Sequence, residues 1–192
     1  MNVHRHFLLN KPYGYLSQFI NNKRRKKKLL GELYDFPEGV MAIGRLDVKS
    51  EGLLMLTTNG KLSQLVRSQK IEKEYWVEVD GEISEESIKK LSSGIEVRTD
   101  GKSFKTLACQ VEAMQAPQAN FIEKRKVREE RHGKTSWVKI CLREGKFHQV
   151  RKMTAAVGHP TLRLIRYRIG EERLNNLTYG KVKEVEHFQL TD

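Results

Sequence analysis

Very little in this chain points outward to a membrane, a secretory route or a metal. Its two cysteines, Cys109 and Cys141, lie far apart, lack metal-ligand spacing and sit among apolar neighbours, as small core residues do. No Cys/His cluster has zinc spacing, and no Gly-rich phosphate loop follows a strand, so the usual sequence marks of a metal or organic cofactor are missing. Apolar runs stay well short of the ~20 residues that cross a bilayer. The opening Met1-Asn2-Val3-His4-Arg5-His6 leads into only Phe7-Leu8-Leu9, too short a stretch for a signal peptide, and a cytoplasmic location is expected. With no internal repeat and no long Pro/Gly-rich linker, one α+β unit is the economical expectation.

What is present is basic charge and enough apolar residues for a core. A chain of 192 residues with 38% hydrophobic content can bury a substantial interior. Lys and Arg total 36 against 24 Asp and Glu, a formal net charge of +12. Such an excess attracts polyanions and gains from counterion release, so nucleic acid is the first partner to consider. The run Lys23-Arg24-Arg25-Lys26-Lys27-Lys28 belongs in a solvated loop or helix start. It is read as an RNA contact, against the plain alternative of a solubilising face. The charge-dense stretch Glu123 to Lys134 is a second such surface, expected as an exposed loop.

Several elements are legible from pattern. A first strand is expected at Phe7–Leu9, buried strands at Val40–Ile43 and Leu53–Leu56, and a turn at Asn59-Gly60. Alternation in Tyr75-Trp76-Val77-Glu78-Val79 turns Tyr75, Val77 and Val79 to one face. Ser84 followed by Glu85 and Glu86 starts a helix that Gly94 stops. Strands are expected near Lys105–Val111 and at Trp137–Leu142. A helix is expected from His148 to Val157, with Val150, Met153, Thr154 and Val157 as its buried stripe and Arg151 beside that stripe. After Pro160, Thr161–Ile169 reads as an alternating strand with Leu162 and Leu164 opposite Arg163 and Ile165.

Between two apolar strands lies the polar loop Gly44-Arg45-Leu46-Asp47-Val48-Lys49-Ser50-Glu51-Gly52. Turns use Asp routinely for local hydrogen bonds, so Asp47 by itself is a weak signal. A partly buried carboxylate needs a cationic partner to stay ionised, and Arg151 is a guanidinium of the right kind.

Gly44-Arg45-Leu46-Asp47 followed by Ser50-Glu51-Gly52-Leu53-Leu54-Met55-Leu56-Thr57-Thr58-Asn59-Gly60 resembles the catalytic motif of RsuA-type pseudouridine synthases. The resemblance continues in Lys73-Glu74-Tyr75, in Glu144-Gly145-Lys146-Phe147-His148-Gln149-Val150-Arg151-Lys152-Met153, and in Leu162-Arg163-Leu164-Ile165-Arg166-Tyr167-Arg168-Ile169-Gly170. Within that family the opening Leu9-Asn10-Lys11-Pro12-Tyr13-Gly14 and the block Pro160–Tyr167 look most like the RluE branch, which modifies one uridine in 23S ribosomal RNA. One departure is Phe147-His148, where that branch more often carries Asn-Arg; it bears on substrate detail, not on reaction type.

The resemblance implies an α+β fold with a central, mostly antiparallel sheet, flanking helices and a cleft across the sheet. It implies one catalytic domain over residues 1–192, with room for two lobes and no N-terminal S4-like RNA-binding domain. Asp47 matches the catalytic Asp, whose carboxylate acts as nucleophile or as a base toward a sugar proton; both remain open. Arg151 matches its guanidinium partner, and Tyr75 matches a Tyr whose ring packs on the displaced base and whose hydroxyl handles the C5 proton. Leu164 matches an apolar residue packed on the target base, though an alternating strand Leu is equally a core residue. Lys73 shares the Tyr75 face and matches a position near the cleft. Arg45 matches a residue that occupies the gap left by a flipped base, and His148 is counted with the RNA contacts.

The expected activity is therefore isomerisation of a uridine in 23S ribosomal RNA or a large-subunit precursor, by a monomer using no metal and no cofactor. A noncatalytic ribosome assembly factor shares the charge but needs no carboxylate in its cleft. A hydrolase pairing Asp47 with a His is weaker, because none of the six His has spacing that points to it.

Overall fold

The computed structural model describes residues 4–20, 27–68, 71–99, 101–125, 127, 133–175 and 177–190. Its chain falls into two compact units: residues 1–71, 119–123 and 166–192 form the first, and residues 72–118 and 124–165 the second.

The first unit is built on β1 (His6–Lys11) and β3 (Glu51–Thr57), both buried along their whole length. They pair antiparallel from His6 opposite Thr57 to Lys11 opposite Gly52. On the other side of β1 lies β11 (Val182–Val185), also antiparallel. Gly52 adopts φ +104°, and a Cβ there would run into the backbone of Arg166. Glycine thus lets β3 approach β9 (Thr161–Ile169), which passes from the second unit into the first at Ile165–Arg166. Strand β10 (Glu172–Arg173) pairs with the end of β9. Phe7, Leu9, Leu30, Leu54 and Leu56 form this unit's core, closed by Phe19, Leu33 and Phe36.

Two expectations in this unit need correction. The apolar run Val40–Ile43 makes only the two-residue strand β2 (Met41–Ala42), with Met41 37% exposed and only Ile43 buried. It lies along β3, opposite Leu56 and Thr57, and its apolar residues do not all face the core. Asn59-Gly60 is not a turn between strands. Asn59 instead starts helix α1 (Gly60–Ser68), its Oδ1 accepting from the Leu62 N–H at 3.1 Å while its carbonyl accepts from the Ser63 N–H.

In the second unit β4 (Lys73–Asp80) pairs antiparallel with β8 (Thr135–Leu142), and β8 with β7 (Gln110–Met114). Burial alternates along β4 as its sequence requires, with Tyr75, Val77 and Val79 inward. Helix α2 (Glu85–Ser92) is capped by Ser84, whose Oγ accepts from the Ser87 N–H at 3.1 Å. Helix α3 (Gln149–Ala156) buries Val150, Met153 and Thr154. These join Tyr75, Leu91, Val138, Ile140 and Leu164 around one apolar core, apart from Thr154, whose hydroxyl meets that of Thr161 at 2.7 Å.

The single strand expected near Lys105–Val111 is in fact two. Strand β6 (Lys102–Lys105) pairs with β5 (Glu96–Thr99) in a separate hairpin, and the chain turns before β7. Thr106 and Cys109 spend polar groups on the end of α2 and the residues just after it: Thr106 Oγ1 accepts from the Ile95 N–H, and the Cys109 N–H donates to the Ser92 carbonyl. Nor does β9 alternate simply. Arg163, Leu164, Ile165 and Arg166 are all buried, so this strand is covered on both faces where its charges lie.

Candidate active site

In the first unit, the loop between β2 and β3 carries Arg45 exposed, Leu46 buried and Asp47 half-buried. Gly44, at φ +70°, turns the chain into it. Within the loop the Ser50 N–H donates to the Asp47 carbonyl at 2.9 Å. The segment after β1 holds the loop from outside. Ser17, itself buried, donates its Oγ hydrogen to the Leu46 carbonyl at 2.8 Å and accepts from the Leu46 N–H at 3.0 Å. The Gly14 N–H donates to the Val48 carbonyl at 2.7 Å. Both residues flanking Asp47 are therefore tied by their backbone to residues 14–17, which fixes where its carboxylate starts from.

That segment is itself organised by Lys11. The ammonium is fully buried and donates to the carbonyls of Pro12 and Tyr15, each at 2.9 Å. Burial pushes it down from 10.5 to about 7; Glu51 pulls the other way, Arg166 adds to the depression, and Asp47 favours the charged form. Glu51 and Arg166 are buried as well, and Arg166 donates through Nε to the Leu53 carbonyl at 2.8 Å. The half-buried Asp47 thus stands among buried charges of both signs, Lys11, Glu51 and Arg166.

In the second unit, Tyr75 is 9% exposed and stands opposite Ile140 in the β4–β8 register. Leu164 lies in the same apolar cluster, with Val150 and Met153 of α3. Arg151, between those two helix residues, is half-buried and donates weakly from Nη1 to the Thr161 carbonyl at 3.4 Å. Lys73 is half-buried at the start of β4, opposite Leu142. His148 precedes α3 in a left-handed conformation and stacks on Phe147. The second unit thus gathers Tyr75 and Leu164 into one cluster, beside the helix that carries Arg151.

The basic run is described only at its end. Lys27 and Lys28 are exposed, and Lys28 lies over the Tyr15 ring at 5.3 Å from its centroid. Lys23, Arg24, Arg25 and Lys26 lie outside the described residues, as does much of the stretch Glu123 to Lys134. Among the described residues, no group of three or more His, Cys, Asp or Glu could hold a metal ion, and no helix is long and apolar enough to cross a membrane.

Residues 5–156 match the family model described as RNA pseudouridylate synthase. The chain belongs to this family. The ribosomal large subunit pseudouridine synthase E of Vibrio parahaemolyticus is 40% identical over 183 residues, covering 93% of this chain and 73% of that protein. Its namesake from Xanthomonas axonopodis pv. citri is 41% identical, covering 88% of each. A solved structure titled as a pseudouridylate synthase superposes with a TM-score of 0.75 at 25% identity, over 95% of this chain and 70% of that one. The protein is accordingly an enzyme of the pseudouridine synthase class, and its α+β fold is that of the family.

Within this synthase, Lys11, Ser17, Glu51 and Arg166 support the site without being singled out by the sequence pattern. Three of them carried a usable signal: a charge set within or directly beside an otherwise apolar strand has no solvent to go to and must be matched by polar partners. Ser17 gave no such signal, because its role depends on a tertiary approach to Leu46.

Proposed function

We propose that this synthase converts one uridine of 23S ribosomal RNA, or of a large-subunit precursor, to pseudouridine, with Asp47 as the catalytic carboxylate. The observation that carries the substrate is the likeness, over most of the chain, to proteins named ribosomal large subunit pseudouridine synthase E. Supporting the role of Asp47 are its place in the motif from Gly44 to Gly60 and the anchoring of its loop by Ser17 and Gly14.

The reaction breaks the bond between C1′ and N1, turns the uracil, and forms a bond between C1′ and C5. C5 loses its proton and N1 gains one, so the product is an isomer and nothing is consumed. A carboxylate serves either by attacking the sugar or by taking a sugar proton. Neither route calls for a metal or an organic cofactor. By the family resemblance Arg151 is the guanidinium assigned to Asp47, Tyr75 and Leu164 pack on the uracil, and the Tyr75 hydroxyl relays the C5 proton. Arg45 fills the gap left by the flipped nucleotide, at a flipping cost of a few kcal/mol. Lys73, His148 and the run from Lys23 to Lys28 meet the surrounding RNA. Residues 1–192 act as one catalytic domain, as a monomer, in the cytoplasm.

Pseudouridine mapping of 23S ribosomal RNA from cells with and without this protein tests the reading. One site that disappears with the protein and returns with it is expected. Identical maps would refute the substrate assignment.

A further inference from the structure

The loop before α3 holds an aromatic ring out to solvent on a well-braced backbone. Phe147 is 61% exposed. Beneath it Gln149, only 4% exposed, accepts from the Lys146 N–H at 3.1 Å, donates its side-chain amide to Glu144 Oε2 at 2.7 Å, and donates its own N–H to the Lys146 carbonyl at 3.1 Å. Lys146 is anchored over the Phe104 ring, 3.6 Å from its centroid. His148 sits at φ +53° and ψ +28°, a region that non-glycine residues seldom adopt, and its side chain does not cap the helix it precedes. Its imidazole lies instead against Phe147, with centroids 3.8 Å apart and planes 18° from parallel. The Lys152 ammonium stands 5.2 Å from the Phe147 centroid.

Burial does not explain this arrangement, because an exposed Phe gains little from the hydrophobic effect, and helix capping does not explain the His148 backbone. Strained backbone that persists under firm support is a mark of function. The surroundings indicate which function. Between Arg143 and Lys152 the sequence places four cations, Arg143, Lys146, Arg151 and Lys152, against one carboxylate, Glu144. An exposed aromatic ring with the Lys152 ammonium over it suits a nucleotide: the base takes the ring face and the ammonium meets its phosphate.

We propose that Phe147, backed by His148, is a stacking platform for an unpaired base of the RNA substrate, with Lys152 meeting the adjoining phosphate. This rests on the reading of the chain as an RNA isomerase and adds a binding contact to it. The base it receives is any unpaired neighbour of the target, since stacking is tolerant of base identity.

The test uses the full chain and a single-stranded oligouridine carrying one 2-aminopurine, whose fluorescence falls when it stacks. Wild type is expected to quench the probe on binding. Phe147→Ala and Phe147→Leu are expected to lose the quench and bind about ten-fold more weakly, while Phe147→Trp keeps both. Because Phe147 is exposed, all three variants should melt with wild type, and Leu separates the loss of the ring from the loss of apolar bulk. Undiminished quench and affinity in both Ala and Leu variants would overturn the platform, even with wild type still forming pseudouridine. A wild type that binds and quenches yet leaves every uridine of 23S ribosomal RNA unconverted would instead refute the isomerase reading and leave the platform standing.

Discussion

Ser17 grips the backbone of Leu46 in both directions, its hydroxyl donating to the carbonyl at 2.8 Å and accepting from the N–H at 3.0 Å. The next residue is Asp47. One buried hydroxyl thus sets the backbone from which the carboxylate projects, and a catalytic group misplaced by a fraction of an ångström loses much of its rate.

Ser17→Ala removes that grip and leaves two buried backbone groups short of a partner, at a cost of about 1–3 kcal/mol in stability. Turnover at saturating RNA should fall while KM for RNA stays near wild type, because the Asp47 loop shifts and the phosphate contacts do not. Ser17→Thr keeps the hydroxyl and should recover most of the rate. Steady-state kinetics with a urea melt for each variant checks this. Full turnover in the Ala variant would show that the loop holds itself.

Lys11 gives the fold a pH dependence of definite sign. Its ammonium is depressed from 10.5 to about 7 by burial, against the pull of Glu51. Above pH 7 the folded chain releases a proton that the unfolded chain keeps until about 10.5, so the unfolded state binds more protons and stability rises with pH across that window. Lys11→Met cannot titrate. Urea unfolding from about pH 6 to about pH 9.5 should show a wild-type rise that the Met variant lacks, whatever the offset between them. Parallel curves would mean that Lys11 stays charged in the fold.

Elements with a strong local pattern are legible in the sequence itself. The β4 alternation, the Ser84 cap and the α3 stripe all stand where the sequence puts them. What escaped was set by tertiary partners. Thr106 and Cys109 leave the strand pattern to satisfy backbone groups at and just after the end of α2. Helix α1 was hidden by Asn59-Gly60, a pair that serves as helix cap as readily as hairpin turn; Leu62, Leu65 and Val66 at helical spacing were the available signal. For the site, the motif around Asp47 was readable as a resemblance, whereas the support from Lys11 and Ser17 was not. Their hydrogen bonds run to main-chain carbonyls and an N–H, and these leave no trace in side-chain pattern.

Neutralising the run Lys23–Lys28 should weaken RNA binding and flatten its salt dependence. Each phosphate that is no longer neutralised lowers the slope of log K against log salt by about 0.7 on single-stranded RNA, so removing all six cations takes away up to about 4. The exposure of Lys27 and Lys28 is consistent with such pairing to phosphate. Binding titrations over a salt series read the slope directly. An unchanged slope would make this run a solubilising surface only.

The most direct measurement concerns Asp47. Asp47→Asn preserves size and shape but removes the basicity and nucleophilicity that either route requires. Ribosomal RNA purified from cells lacking the protein is incubated with wild type or the Asn variant, mapped for pseudouridine, and titrated for binding. Wild type is expected to form pseudouridine at its one site. The Asn variant should bind the RNA with near wild-type affinity and leave that site unconverted. Conversion at the normal rate by the Asn variant would contradict the account and show that the reaction does not need the Asp47 carboxylate.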